Sequence, residues 1–273
     1  MSLFRYFSLE SGLKTLSTSE LMVTPPKYLN DVFECSPVIR CEDPWGYTVS
    51  QLGGIIGSPA WFTQNRAHFP NLTFEQFQAG MKQHAPDLAQ KMVAEIPAID
   101  LELQTKMVDL ISEKFGVVCF TPDVTHQKMW GIYGASHSGV AIEFDEKHQL
   151  FSGRSFVKMG YSDTAVIFDA SNPNNRDDAE LFLTRKKLDW SYERESRLIV
   201  DLSFTSLRDM ASGPRYVLPV GPELIMSVTL GLRTDDDVLA KVLRALREPR
   251  FQHVELFKIQ KDVAAGVLKR VRL

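Results

Sequence analysis

The chain has 273 residues, of which 44% are hydrophobic and 24% charged, and its 31 basic and 34 acidic side chains leave a formal net charge of −3. These fractions belong to a globular protein long enough to bury a substantial core, and they exclude a disordered tail, a collagen-like repeat and a coiled coil. Near-neutrality supplies no bulk basic field, so non-specific nucleic-acid binding is not expected.

The first residues lack the basic start and the apolar run of about 7–15 residues that mark a signal peptide. They read instead as a strand at 3–8, followed by a helix at 11–18 with Ser11 as its N-cap. A second strand at 21–24 stops at Pro25-Pro26, because proline cannot donate to a ladder. Residues 28–34 interleave polar and aromatic groups as a structured turn. From about 44 to 116 strand signals vanish. Residues 73–84 and 88–115 carry apolar side chains at helical spacing, with Pro97 expected to break or kink the second piece. Thr73 and Gln76 form a capping-box pattern. No linker composition bounds this region, so it reads as a helical insertion.

Strand signals return at 117–121, followed by helical turns at 127–133 and an alternating strand at 139–145. A further strand at 156–161, a loop at 172–175 and a helix at 177–187 come next. Strands at 195–202, 225–230 and 253–259 complete the chain, with a helix at 235–247 between the last two. Strands and helices do not alternate regularly enough for a parallel βαβ sheet. The expectation is a single α+β domain over residues 1–273, with a mostly antiparallel or split β-sheet, flanking helices and the insertion at about 44–116.

No window approaches the roughly 18–20 apolar residues that span a bilayer. Cys35, Cys41 and Cys119 fit neither a disulfide framework nor paired zinc half-sites. A cytoplasmic location, no membrane partner and no metal are expected. The chain also lacks a Ser-His-Asp order, a P-loop, a dinucleotide fingerprint and a His-x-x-x-His zinc pattern.

The densest chemistry lies in residues 186–197, which run straight into an apolar strand. If Glu195 begins that strand, Glu193, Glu195 and Arg197 project to one side. Paired carboxylates there suit acid/base work, or the binding of ribose hydroxyls and the stabilisation of an oxocarbenium-like centre. The competing reading is a solvated charge run whose ion pair is worth well under ~1 kcal/mol. Arg5 sits in an aromatic-flanked strand and needs an anionic partner if buried. A ligand phosphate would serve, as would Asp31, Glu34 or Glu195. Thr121 either orients a ligand or a glutamate, or caps the turn before Pro122. Residues 129–139 combine large aromatics with glycines, as an aromatic wall around a flat ring requires. His126 and His137 read as hydrogen-bonded structural residues.

Several motifs recur in a recognisable order. They are Leu3-Phe4-Arg5-Tyr6-Phe7, Asn30-Asp31-Val32-Phe33-Glu34, Met129-Trp130-Gly131-Ile132-Tyr133, the strand from Gly139 to Phe144, the block from Trp190 to Arg197, and Gly231-Leu232-Arg233. In this order they resemble the bacterial domain-of-unknown-function family numbered twenty-nine seventy-one, over nearly the whole chain except about 44–116. That family name carries no activity. A looser resemblance is to ADP-ribosyltransferases, in which an arginine of the first strand, a central Ser/Thr strand and a late Glu-x-Glu stand in the order of Arg5, Thr121 and Glu193-Arg194-Glu195. Cys119-Phe120-Thr121 departs from the Ser-Thr-Ser of that pattern.

The second resemblance implies that NAD is a co-substrate. Arg5 would hold its diphosphate or adenylate side, Thr121 would orient the catalytic glutamate, and Tyr133 or Trp130 would pack on nicotinamide. Glu195 would stabilise the ribose cation, and Glu193 would activate the acceptor. Arg5, Thr121 and Glu195 must then line one cleft. The leading expectation is an ADP-ribosyltransferase-like enzyme that transfers ADP-ribose or cleaves NAD, a chemistry consistent with bacterial toxin or defence systems. The partner is a small nucleotide, with an unidentified macromolecular acceptor. The alternatives are a non-catalytic binding module built around the same charges and a magnesium-dependent nuclease using Asp31, Glu34, Glu143 and Asp145.

Overall fold

The computed structural model describes residues 2–152, 155–172, 181–209 and 214–273; for residues 96–104 it describes the backbone alone. Strand β1 (Leu3–Phe7) leads to helix α1 (Leu9–Thr18), β2 (Glu20–Val23) and β3 (Val38–Arg40). Helices α2 (Pro44–Ile56), α3 (Pro59–Gln64) and α4 (Phe74–Lys114) follow. Next come β4 (Phe115–Phe120), α5 (Gln127–Ile132), β5 (Val140–Phe144), β6 (Phe156–Lys158), β7 (Gly160–Tyr161), β8 (Ile167–Asp169) and β9 (Arg185–Lys186). The last part holds β10 (Ser196–Asp201), β11 (Ser206–Arg208), β12 (Arg215–Pro219), β13 (Ile225–Leu230), α6 (Asp236–Leu246), β14 (Glu255–Asp262) and β15 (Val267–Arg272).

The class is α+β, with a split, mostly antiparallel β-structure, and the chain divides into two compact units. The first comprises Met1–Cys35, Leu110–Thr164 and Leu183–Leu273. Its five-stranded sheet has the order β1-β5-β13-β14-β15. Every pair is antiparallel except β13 with β14, where α6 returns the chain to run parallel. Alternation in β5 sets the layers. Val140, Ile142 and Phe144 join Leu3, Phe7 and Leu16 in the main core, whereas Ala141 joins Phe4, Tyr6 and Trp130 in a second cluster. Each large apolar side chain so buried is worth about 1.5–3 kcal/mol.

Two three-stranded sheets, β4-β10-β6 and β11-β12-β2, complete this unit with the short pair β7-β9. The outer edge of β1 makes one bridge to the end of β4, in which Phe4 and Thr121 exchange N–H···O bonds of 2.8 Å. A second bridge joins Thr24 to Val117. Isolated bridges in place of a ladder leave the two sheets parted, and the cavity described below lies at that parting.

The second unit, Ser36–Asp109 with Ala165–Phe182, holds the parallel pair β3-β8, helices α2 and α3 and most of α4. Leu52, Ile56 and Ala89 form its apolar cluster, and Phe77 stacks on Trp61 and packs at a tilt against Phe62. The capping box is present: Thr73 N–H donates to Gln76 Oε1 and Gln76 N–H to Thr73 Oγ1.

Several local expectations change. Ser8, rather than Ser11, caps α1, and its Oγ accepts from Ser11 N–H because the helix begins two residues early. The pieces expected at 73–84 and 88–115 run as one helix; an interior proline costs about 3 kcal/mol, and the helical pattern on both flanks outweighs it. The strand expected at 156–161 is divided into β6 and β7, which pair with different partners. The loop at 172–175 and the helix at 177–187 fall in part on 173–180, outside the described residues. Of the rest, 181–184 is helical and Arg185–Lys186 is strand. Strands β11, β12 and β15 were not anticipated, because charges and prolines break their apolar alternation. Among the described residues no helix is long and apolar enough to cross a membrane.

Candidate functional site

The site is built in the first unit around a cavity of about 260 Å³. Arg5, Thr121, Tyr133, Glu193 and Glu195 all line it, together with Glu34, Cys119 and Lys186. Trp130 does not. It is fully buried beneath the wall, edge-on to Tyr6 at 4.9 Å, with its indole N–H donating to Val124 O.

The two glutamates reach the cavity by a route the strand pattern does not contain. Residues Leu188–Glu193 form a 3-10 helix, and Arg194 ends it in the left-handed conformation at φ 48°. That turn, rather than strand alternation, presents Glu193, and β10 starts only at Ser196. Arg197 then lies on the central strand of its sheet, opposite Cys119 of β4 and Val157 of β6.

The charged groups are not a solvated run. Glu34, Glu193, Glu195, Lys186 and Arg197 are each 5% exposed or less. Lys186 Nζ lies 2.7 Å from Glu193, 3.2 Å from Glu195 and 3.5 Å from Glu34. Arg197 Nε contacts Glu195 at 2.6 Å, its Nη1 donates to Leu183 O at 3.0 Å, and its Nη2 pairs with Glu34. Tyr133 donates to Glu193 at 2.6 Å and accepts from Asn30 Nδ2 at 2.9 Å. The Glu195 N–H donates to Tyr161 Oη at 2.7 Å. Three carboxylates therefore face two cations, and when all three are ionised one negative charge is in excess.

Burial pushes the Glu195 carboxyl up, to about 7, against the opposing pull of Lys186 and a hydrogen bond from Cys119. Burial disfavours the Lys186 ammonium, but Glu195 and Glu193 outweigh it and raise its pKa above the usual lysine value. Burial and then the Glu195 charge hold the Cys119 thiol well above its ordinary value, so it is an unreactive donor. Burial raises the Tyr133 hydroxyl, helped by Glu193, and keeps it protonated as a donor.

Arg5 is a cation of the cavity lining that stands outside this network. It is half-buried, its Nη1 donates to Met22 O at 3.0 Å, and its guanidinium lies 5.4 Å from the Phe7 ring. Among the described residues it has no carboxylate partner. Asp31, Glu34 and Glu195, the intramolecular candidates, do not pair with it. Burial lowers its pKa, and Cys119 is the one acidic group near enough to oppose that. Thr121 is buried, with its backbone tied to β1 and its Oγ1 accepting from Asp123 N–H at 3.3 Å. The side chain that hydrogen-bonds Glu195 from this strand is Cys119.

Lys186 and Glu34 bind the network together. Lys186 lies in the charged stretch 186–197 but on an expected helix, where its direction is indeterminate. Glu34 closes the Asn30-Asp31-Val32-Phe33-Glu34 turn, the sequence signal that marks it. Glu143 of the nuclease alternative is engaged elsewhere, by Arg270 at 2.8 Å and Ser227 at 2.6 Å. No group of three His, Cys, Asp or Glu side chains among the described residues is placed to hold a metal ion.

Residues 129–198 match the model of a family described as a protein of unknown function (DUF2971). The matched stretch includes the Met-Trp-x-x-Tyr, Gly-Val-x-Ile-Glu-Phe and Trp-x-Tyr-Glu-x-Glu-x-Arg motifs. No curated protein and no solved structure matches the chain.

Proposed function

We propose that the protein is an NAD-using enzyme of the ADP-ribosyltransferase type, which transfers ADP-ribose to an acceptor or hydrolyses NAD. One observation carries this reading: Arg5, Thr121 and Glu195, far apart in sequence, line one cavity, which joins the glutamate network to an arginine outside it. With Glu195 ionised, the Glu34, Glu193 and Glu195 cluster holds excess negative charge, and Arg5 is a cation without a carboxylate partner among the described residues. A ligand that joins a cationic ring to an anionic diphosphate complements both.

In the reaction, the bond between ribose C1′ and the pyridinium nitrogen breaks and its electron pair leaves with nicotinamide. The ionised Glu195 carboxylate stabilises the oxocarbenium-like ribose in a cavity where burial strengthens that attraction. The acceptor or water then bonds C1′ and releases a proton, which Glu193 takes up. Phe4, Tyr6 and Tyr133 supply apolar walls for the ring. At about 260 Å³, the cavity is just below the ~300–1,000 Å³ of whole-ligand sites, so it suits the nicotinamide-ribose end. The test is to incubate the purified protein with NAD and measure nicotinamide release by chromatography, with Glu195→Gln as control. Absence of both NAD binding and nicotinamide release, with candidate acceptors present, overturns the reading.

The buried ion network favours a second reading, a non-catalytic binding module in which Glu195 is structural. On that reading Glu195→Ala lowers the melting temperature. A catalytic carboxylate held against its solvation preference is replaced with little loss or a gain.

A further inference from the structure

A second cavity of about 320 Å³ shares Arg5, Tyr6 and Tyr133 with the first, so the two adjoin along β1. Its far wall is α1, which contributes Ser11, Lys14 and Thr18. Their spacing of three and four residues puts them on one face of the helix, while Gly12, Thr15 and Leu16 are the buried positions. Joined, the two cavities reach the size of a whole-ligand site.

The charges on this wall are specific. Glu20, its one carboxylate among the described residues, is taken by Arg208 through Nη2 at 2.6 Å and Nε at 3.1 Å. The exposed Lys14 ammonium has no hydrogen bond or ion pair among the described residues, and Arg5 has only the Met22 carbonyl. Two cations without acidic partners, one at the junction and one beyond it, suit phosphate oxygens, which form charge-assisted bonds with both groups.

We infer that the two cavities form one groove for a nucleoside diphosphate group, with its phosphates at Arg5 and Lys14 and its nucleoside against α1. Which end of a longer ligand reaches Glu195 rests on the function proposed above; the binding of the nucleoside diphosphate itself does not. Calorimetric titration of the full chain with ADP is expected to give saturable binding that Lys14→Glu weakens at least about tenfold. Lys14 is exposed, so the variant is expected to melt as the parent does, and nicotinamide binding is expected to be unchanged. Absence of saturable ADP binding, or equal affinity in Lys14→Glu, overturns the inference. The two readings fail separately. ADP binding by a protein that leaves NAD intact keeps the groove and removes the transferase. NAD cleavage at parental KM in Lys14→Glu keeps the transferase and removes the groove.

Discussion

Replacing Arg197 by methionine tests whether the buried network is what holds the glutamates at the cavity. The side chain is fully buried and engages Glu195 at 2.6 Å, Glu34 and the Leu183 carbonyl at 3.0 Å. Methionine keeps an unbranched apolar stem but removes the charge. Three buried carboxylates then depend on Lys186 alone, and the Leu183 carbonyl loses its donor. Breaking a buried ion pair by removing one partner costs about 3–5 kcal/mol, because the remaining charge stays desolvated. At roughly 2–4 °C per kcal/mol for a chain of this size, the melting temperature is expected to fall by roughly 6–20 °C. Thermal and urea melts followed by circular dichroism measure it. Adding Glu34→Gln to Arg197→Met removes one orphaned charge, so the double variant is expected to lose less than the sum of the single losses, by at least ~1 kcal/mol. A melting temperature within about 2 °C of the parent, or strict additivity in the double variant, refutes the reasoning.

Glu195 ties stability to pH. Its folded pKa of about 7 lies above the ~4.3 of an unfolded glutamate, so the native state holds a proton that the unfolded chain has released. Its contribution to stability therefore falls as pH rises from about 4.3 towards 7; the parent is expected to lose stability relative to Glu195→Gln between pH 5 and pH 8 in paired melts, and a constant difference contradicts this. Tyr133→Phe keeps the ring but removes the donor to Glu193 and the acceptor for Asn30. A loss of about 1.5–3 kcal/mol is expected, with slower nicotinamide release; an unchanged urea midpoint removes Tyr133 from the network.

Much of the local structure is legible in the sequence because it depends on near neighbours. The alternation Val140-Ala141-Ile142-Glu143-Phe144 specifies a strand and its inner face. Thr73 with Gln76 specifies a helix start, and Pro25-Pro26 a strand end. The Ser8 cap was open to the same reading, since Ser8 and Ser11 are both good caps and only the helix start distinguishes them.

The site is legible only in part. Arg5, Thr121, Tyr133, Glu193 and Glu195 stand out as residue types, but local pattern does not say whether Glu193, Glu195 and Arg197 face water or one another. That depends on Glu34 and Lys186, remote in sequence from one another, and on the left-handed turn at Arg194 that ends one short helix before β10 begins. Trp130 illustrates the converse, an aromatic whose chemistry suits a ring-binding wall and whose packing on Tyr6 puts it beneath one. Composition, the order of motifs and the identity of the strongly patterned strands and helices are properties of neighbouring residues and were decided by the sequence. The burial of the charges, the parting of the two sheets and the pairing of the Arg5 guanidinium with a carbonyl rather than a carboxylate were decided by the tertiary structure, because desolvation and ion pairing depend on which distant groups exclude water from the same space.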